Sequence, residues 1–156
     1  MREKVVSAAR ELGLEVEVRT LESSTRTVAE AAEAVGTDPA HIAKSIVFVA
    51  DGEPVVVVAS GGHRVDIERL AVAFDCAEVR QASADEVQAA TGFKVGGIPP
   101  FGHGLPILFD VTLLDYERIY AAGGDGNTLF EVDPRKLADA TGARVIEVAA
   151  RDGGSP

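Results

Sequence analysis

Apolar positions recur with helical spacing in five segments of the chain and so predict five helices. Two of these segments open with capping boxes, Thr27–Glu30 and Ser83–Glu86, in which a hydroxyl and a glutamate each satisfy a backbone N–H. Asp38 and Pro39 resemble the cap and first residue of a further short helix. The predicted helices cover residues 3–12, 27–36, 38–42, 66–74, 83–92 and 133–141.

Strand patterns lie between these helices. The dipeptide Asp51-Gly52 separates two apolar runs, Ser45–Ala50 and Pro54–Ser60, and predicts a hairpin. Because hairpins are mixed with helices and do not alternate with them one for one, we expect an α+β domain with a mixed sheet. The other predicted strands are residues 15–20, 107–111, 118–122, 128–132 and 144–148.

One segment, residues 96–106, breaks the regular pattern with four glycines and three prolines. Such a composition predicts a loop of fixed shape, since glycine allows close backbone approach and proline limits rotation. Free N–H groups in a rigid loop can form an oxyanion hole for acyl transfer. A purely structural crossover between a helix and a strand fits the same residues equally well.

A second candidate is Lys44, which stands just before the apolar run 45–50. Apolar neighbours would partly desolvate its ammonium, which could bind an anion or donate a hydrogen bond to a carbonyl. The alternative is a lysine at a strand end whose stem packs on apolar surface while its charge reaches water.

Length, charge and cysteine content narrow the class of protein. A chain of 156 residues favours one domain, here 1–150, with a disordered tail at 151–156. The net charge of −10 argues against a strongly basic nucleic-acid binder and leaves a weak or local grip open. The single cysteine, Cys76, allows no internal disulfide and is expected to be a small buried residue. No signal peptide or membrane span is evident, so we expect a soluble cytoplasmic protein.

Common catalytic and cofactor motifs do not occur in the sequence. It contains no Walker loop, no dinucleotide fingerprint and no nucleophile elbow. The histidines His41, His63 and His103 have no metal-ligand spacing. We therefore expect no cofactor and no metal.

Several of these residues together resemble the YbaK/EbsC family, the free-standing relatives of the editing domain in bacterial prolyl-tRNA synthetases. The resemblance rests on Ala43-Lys44-Ser45 before an apolar strand, the Asp-Gly hairpin, the run Thr91–Gly102, and Tyr120 followed by Gly123-Gly124. It extends over about residues 3–150. The glycine-rich loop together with the upstream lysine is fairly specific.

This resemblance implies a curled, barrel-like mixed sheet flanked by helices. It also implies an aminoacyl-tRNA deacylase that hydrolyses the ester of mischarged tRNA. The family lysine falls on Lys44, and the family motif G-x-x-x-P falls on Gly96 and Pro100. Lys44 and Gly96 are then the expected catalytic residues. The expected substrate-binding residues are Leu21, Ser45, Gly97, Ile98, Pro99, Pro100, Ala122, Gly123, Gly124 and Leu129.

The chain departs from cysteine-clearing members of the family at three positions. Ala122 and Leu129 stand where those members have a serine and an aspartate, and Leu21 stands where they have an aromatic residue. The amino acid removed is therefore open, with a small one such as alanine the leading candidate. The expected partner is the acceptor end of an aminoacyl-tRNA, with a synthetase as a further candidate and no DNA or membrane. The alternative is a catalytically weak module of the same fold that binds tRNA or a synthetase.

Overall fold

Helices flank one open mixed sheet, which confirms the predicted α+β class. The structure, a computed structural model, describes residues 2–149, so the expected tail at 151–156 lies outside the described residues. Within residues 2–149 the α-helices are α1 (Arg2–Glu11), α2 (Val28–Val35), α3 (Ile67–Ala73), α4 (Ala84–Thr91) and α5 (Pro134–Thr141). The strands are β1 (Arg19–Thr20), β2 (Ile42–Ala50), β3 (Glu53–Ser60), β4 (Val79–Gln81), β5 (Ile107–Asp110), β6 (Ile119–Ala122), β7 (Thr128–Val132) and β8 (Arg144–Ile146).

The sheet mixes parallel and antiparallel pairs. Its order is β1-β7-β6-β2-β3-β5-β8, and β4 adds a further pair to β2. The β2–β6, β3–β5 and β5–β8 pairs are parallel, and the others are antiparallel. The path runs from β1 to β8 without closing, so the sheet does not form a complete barrel.

The central hairpin forms as predicted but is longer. Its register runs from Ala43 opposite Ser60 to Ala50 opposite Glu53. Asp51 and Gly52 have φ of 47° and 85°, the paired positive values of a two-residue hairpin turn. Because β2 begins at Ile42, Lys44 lies inside the strand and not before it.

Local capping chemistry explains the helix boundaries. Thr27 and Ser83 both form the complete capping boxes that the sequence predicts. At Asp38 the prediction is only partly right, because the side chain makes no capping hydrogen bond and Pro39–His41 is a single 3-10 turn. A second 3-10 helix, Val111–Asp115, replaces the predicted end of a strand, because Asp110 accepts the N–H of Thr112.

One predicted strand is shorter than expected, and one strand was not predicted. Only Arg19–Thr20 of the predicted strand 15–20 is paired, because β7 offers a partner to those two residues alone. Strand β4 was not predicted, since its three residues are too short to show a period. It is held by antiparallel pairing to the end of β2.

Apolar residues form clusters on both faces of the sheet. The largest contains Phe93, Phe101, Phe109 and Phe130, with α1, α4 and α5 packed on it. A second lies under α3 around Leu70, and a third joins α2 to Ile42 and Leu129. Cys76 is only partly buried, because it lies at the edge of the second cluster beyond the end of α3.

None of the helices in the part of the chain that the structure describes has the length and apolar character of a membrane span.

Candidate active site

The central strand β2 has a gap along one edge. Its first residues, Ile42 and Ala43, pair with β6, and its last three, Phe48–Ala50, pair with β4. The carbonyl of Val47 accepts the Ala82 N–H at 3.0 Å on this edge. Because alternate residues of a strand face the same edge, the backbone N–H and C=O of Ser45 face the gap. In the part of the chain that the structure describes, no strand pairs with this edge of β2 at Ser45, next to Lys44.

A cavity of about 180 Å³ lies over this gap, and we name it the Lys44 cavity. One wall is the sheet, another is the first turn of α2, and the third is the glycine-rich loop. Its lining is mainly aliphatic and has no acidic side chain. The lining residues are Thr25, Arg26, Thr27, Val28, Ala31, Ile42, Ala43, Lys44, Ser45, Ile46, Val95, Gly96, Ile98, Ala122 and Leu129.

Close packing fixes the glycine-rich loop against this cavity. Gly96 has φ of +88°, and a Cβ there would lie 2.9 Å from the Cβ of Arg26. A Cβ on Gly97 would lie 3.1 Å from the backbone of Asp125. Ile98 and Phe101 anchor the loop in the largest apolar cluster. Glycine is thus required where the loop meets its neighbours.

The loop offers fewer free N–H groups than its composition suggests. The N–H of Gly97 already donates to the carbonyl of Lys94 at 3.0 Å. Gly96 and Ile98 both line the Lys44 cavity. Within residues 2–149 the N–H groups of Gly96 and Ile98 have no backbone acceptor, in contrast to that of Gly97.

The ammonium of Lys44, a residue that lines the cavity, is bonded to the turn after β3. Its Nζ donates to the backbone carbonyl of His63 at 2.6 Å, which uses one of its three N–H groups. The side chain is half-buried, and burial lowers the pKa of Lys44 from its ordinary value. The Asp110 carboxylate opposes this by raising that pKa. Lys44 thus has N–H groups left for a ligand and a reduced cost of losing its proton.

Asp110 is a buried carboxylate beside this lysine, with 0% of its surface exposed. It accepts the N–H of Ser60 at 3.0 Å and that of Thr112 at 3.0 Å. Its Oδ2 is also 2.9 Å from Nδ1 of His63. Sequence reasoning missed both Asp110 and His63. The available signal was a charged residue at the end of the apolar run 107–109.

Ser45 carries a buried hydroxyl in the same cavity. Its Oγ has no hydrogen-bond partner among the residues that the structure describes. Leaving a buried polar group unpaired costs about 1–3 kcal/mol, so such groups are usually satisfied in their working state. A ligand in the Lys44 cavity could supply the partner.

Six of the twelve predicted site residues line the Lys44 cavity, and the other six lie elsewhere. The six are Lys44, Ser45, Gly96, Ile98, Ala122 and Leu129. Gly97 and Gly124 line a neighbouring cavity of about 1050 Å³. The remaining four residues, which line neither cavity, are Leu21, Pro99, Pro100 and Gly123.

Those four residues support the walls of the site. Pro99 and Pro100 are buried within the loop. A Cβ on Gly123 would lie 2.4 Å from Val18, so this glycine permits close packing. Leu21 packs against the α2 cluster, and its N–H donates to the carbonyl of Asn127 at 2.7 Å.

Arg26 separates the two cavities and lines both of them. Its stem lies between Gly96 and Gly126, because a Cβ on Gly126 would come within 2.8 Å of the Arg26 Cγ. The sequence pattern marks Arg26 only as the residue before a capping box, so its place at the site was not predicted. In the larger cavity Lys94 adds a second cation, and three carboxylates also line it, those of Glu22, Asp85 and Asp125.

Within residues 2–149, no group of three or more His, Cys, Asp or Glu side chains is arranged to hold a metal ion. The residues that line the Lys44 cavity include a lysine, a serine with an unpaired hydroxyl and two residues of the glycine-rich loop. The ammonium, hydroxyl and N–H groups of such residues can stabilise negative charge that develops on a carbonyl oxygen.

Comparisons with known proteins agree with this fold. The model of the aminoacyl-tRNA editing domain matches residues 22–140. A crystal structure described as a candidate trans-editing enzyme for prolyl-tRNA synthetase superposes with a TM-score of 0.89 at 38% identity, covering 96% of each chain. This chain belongs to the aminoacyl-tRNA editing domain family, which confirms the predicted YbaK/EbsC resemblance.

Relatives occur both as free-standing proteins and inside synthetases. YwhH of Bacillus subtilis strain 168, an uncharacterized protein, is 33% identical over 84% of this chain and 85% of its own. Proline–tRNA ligase of Geobacter metallireducens is 28% identical over 79% of this chain, which corresponds to 21% of the ligase. EbsC of Enterococcus faecalis, described as a candidate deacylase of Cys-tRNA(Pro) and Cys-tRNA(Cys), is 26% identical over 78% of this chain and 76% of its own.

Proposed function

We propose that this protein hydrolyses the ester bond of mischarged aminoacyl-tRNA in trans and removes a small amino acid such as alanine. The observation that carries the proposal is that Lys44 and Gly96, 52 positions apart, line one small cavity beside an open strand edge. Membership of the editing family supports the reaction type.

The size of the cavity supports a small aminoacyl group. Pockets for drug-sized ligands measure about 300–1,000 Å³, so a cavity of about 180 Å³ favours a smaller group. An alanyl ester has about six non-hydrogen atoms: the amine nitrogen, three carbons and two ester oxygens. Ala122 and Leu129 supply an apolar wall with no carboxylate. An apolar pocket separates neighbouring aliphatic side chains by only about 1–3 kcal/mol and rejects an added hydroxyl poorly. We therefore expect seryl and threonyl esters to react as well.

The chemistry needs no protein nucleophile, because an aminoacyl ester is already reactive. Water attacks the ester carbon, and the carbonyl oxygen becomes an oxyanion. The Lys44 ammonium and the N–H groups of Gly96 and Ile98 stabilise that oxyanion. The bond from carbon to the ribose oxygen then breaks, the ribose oxygen takes the proton that the attacking water gives up, and the free amino acid leaves. The protein contributes position and charge.

The acidic composition supports recognition of the acceptor end alone. With a net charge of −10, broad contact with the tRNA backbone would be repulsive. Arg26 and Lys94 are the cations that line the larger cavity, next to the Lys44 cavity. We assign them to the terminal phosphates and this larger cavity to the terminal nucleotide. The activity would operate in the cytoplasm, where tRNA is charged, and a synthetase is a candidate partner.

The test is release of labelled amino acid from alanyl-, seryl-, threonyl- and cysteinyl-tRNA with the protein limiting. The proposal expects multiple turnover, fastest with alanyl-tRNA and slower with seryl-, threonyl- and cysteinyl-tRNA. An exclusive preference for cysteine would show that Ala122 and Leu129 do not set the pocket. Binding of tRNA without release of any amino acid would identify an accessory module instead.

A further inference from the structure

The proposed reaction uses Lys44 but leaves a buried acidic group beside it without a role. Asp110 is fully buried, and its carboxylate accepts hydrogen bonds from two backbone N–H groups. Its third partner is the ring of His63, 47 positions away in the chain. A buried carboxylate is costly unless it is paired, so this arrangement calls for an explanation beyond packing.

His63 connects Asp110 to Lys44 through two hydrogen bonds. Oδ2 of Asp110 lies 2.9 Å from Nδ1 of His63, and the backbone carbonyl of His63 accepts Nζ of Lys44 at 2.6 Å. Since a carboxylate only accepts hydrogen bonds, Nδ1 carries the proton in this contact. The same residue, His63, therefore contacts the acid through its ring and the lysine through its backbone.

Hydrogen bonds and close packing hold the turn at residues 60–63, which carries His63. The N–H of His63 donates to the Ser60 carbonyl at 3.0 Å, and the Ser60 hydroxyl donates to the Ala40 carbonyl at 2.8 Å. A Cβ on Gly61 would lie 2.4 Å from the carbonyl oxygen of Pro39. Asp110 closes this turn by binding both its first residue, Ser60, and its last, His63.

We propose that Asp110 and His63 are positioning residues for Lys44: the buried carboxylate orients the His63 ring, and the His63 backbone carbonyl then holds the lysine ammonium at the cavity. Neither residue lines the Lys44 cavity, so both act through Lys44. The inference rests on the proposed deacylation for its kinetic consequence, but the placement of Lys44 can be measured without it. The negative charge of Asp110 also favours the protonated form of the lysine.

The kinetic test uses two substitutions at His63 with a matched control. His63→Ala removes the ring that Asp110 holds, whereas His63→Asn keeps a donor at the position of Nδ1. We expect His63→Ala to lower kcat for alanyl-tRNA roughly tenfold with KM little changed, by analogy with the 10–100-fold losses when the hydrogen-bond partners that orient metal ligands are removed. His63→Asn should recover kcat to within about threefold. Asp133→Asn is the control, because Asp133 also accepts a backbone N–H before a helix but lines neither cavity.

Equal kcat in His63→Ala and the unsubstituted protein would overturn the proposal. So would an equal loss in His63→Asn, because the donor would then be irrelevant, or an equal loss in Asp133→Asn. Melting temperatures are measured for each variant, so that a kinetic loss at unchanged melting temperature supports positioning and not unfolding.

A second measurement does not depend on activity. The titration of Lys44 is followed by NMR of its Cε methylene, which is assigned by its absence in Lys44→Met. Asp110 from β5 is the charged group that acts on the Lys44 ammonium. The ring of His63, after β3, lies next to that carboxylate, and Arg26, before α2, lines the same cavity as Lys44. Removing the opposite charge in Asp110→Asn should move the Lys44 titration to lower pH.

The limb of the rate profile where Lys44 loses its proton should move in the same direction. An unchanged Lys44 titration in folded Asp110→Asn would overturn the proposal. If the unsubstituted protein releases no amino acid from any tRNA, the proposed function fails, and the NMR titration still decides the positioning role. Should Asp110→Asn not fold, Lys44 is titrated in His63→Ala, where loss of a fixed carbonyl should also shift it.

Discussion

Replacing Gly96 by alanine tests whether the glycine-rich loop is fixed against Arg26. The backbone of Gly96 is left-handed, with φ of +88°, and a Cβ would meet Cβ, Cα and Cγ of Arg26 at 2.9–3.1 Å. Gly104 provides the matched control, because it also has positive φ, +73°, but nothing lies within 4 Å of its added Cβ. The difference between Gly96→Ala and Gly104→Ala therefore isolates the contact with Arg26.

The expected loss of stability has two causes, the left-handed backbone at both glycines and the contact with Arg26 at Gly96 alone. A left-handed alanine costs about 1–2 kcal/mol, and its lower unfolded-state entropy returns about 0.4–1 kcal/mol. Gly104→Ala should therefore lower the free energy of unfolding by about 1 kcal/mol. Gly96→Ala adds overpacking of about 1–3 kcal/mol, for a total of about 2–4 kcal/mol. At about 2–4 °C per kcal/mol in a domain of this size, the melting temperature should fall by about 3 °C and about 9 °C respectively.

Thermal melts and alanyl-tRNA deacylation are measured on both variants. Because a displacement near 1 Å can cost about 10²-fold, we expect Gly96→Ala to lose about that much activity while Gly104→Ala keeps most of it. Equal melting temperatures in the two variants, or full activity in Gly96→Ala, would refute the argument that Arg26 and Gly96 define this wall.

Two further substitutions probe buried polar groups. Ser45→Ala removes a hydroxyl without a partner, so stability should be unchanged or higher, while KM for alanyl-tRNA rises about 3–10-fold if the substrate satisfies that hydroxyl; an unchanged KM would exclude the contact. Burial lowers the pKa of His103 from 6.5 to about 4. Below about pH 6.5, His103 therefore binds a proton in the unfolded chain but not in the folded protein. The free energy of unfolding falls as pH drops from about 6.5 toward 4. Urea unfolding at pH 7.5 and 5 should show this loss, about 1–2 kcal/mol after allowance for partial exposure, and His103→Asn should reduce it; an identical pH dependence in His103→Asn would contradict the burial argument.

Local signals predicted most of the helices and the central hairpin. The capping boxes at Thr27 and Ser83 and the turn at Asp51-Gly52 involve neighbours in the chain, and all three form. Strand β4 escaped prediction because its three residues are held by pairing to β2, a contact that no local pattern records. Long-range pairing also explains why β1 is shorter than its alternating pattern indicates.

Part of the candidate site was likewise predictable from the sequence, and part was not. The family resemblance identified Lys44 and Gly96, which line one cavity. It did not identify Arg26, whose position depends on the packing of two glycines from separate loops. Asp110 and His63 were missed because their link to Lys44 exists only after β2, β3 and β5 align.

Single-turnover deacylation of alanyl-tRNA by the unsubstituted protein and by Lys44→Met is the most direct test of the central claim. Methionine keeps the length and apolar character of the lysine stem but removes the ammonium that lies at the Lys44 cavity. We predict release of alanine by the unsubstituted protein and a loss of roughly 10²-fold or more in Lys44→Met at an unchanged melting temperature. Equal rates of release by the two proteins would contradict the role assigned to Lys44, and no release by either would contradict the proposed function itself.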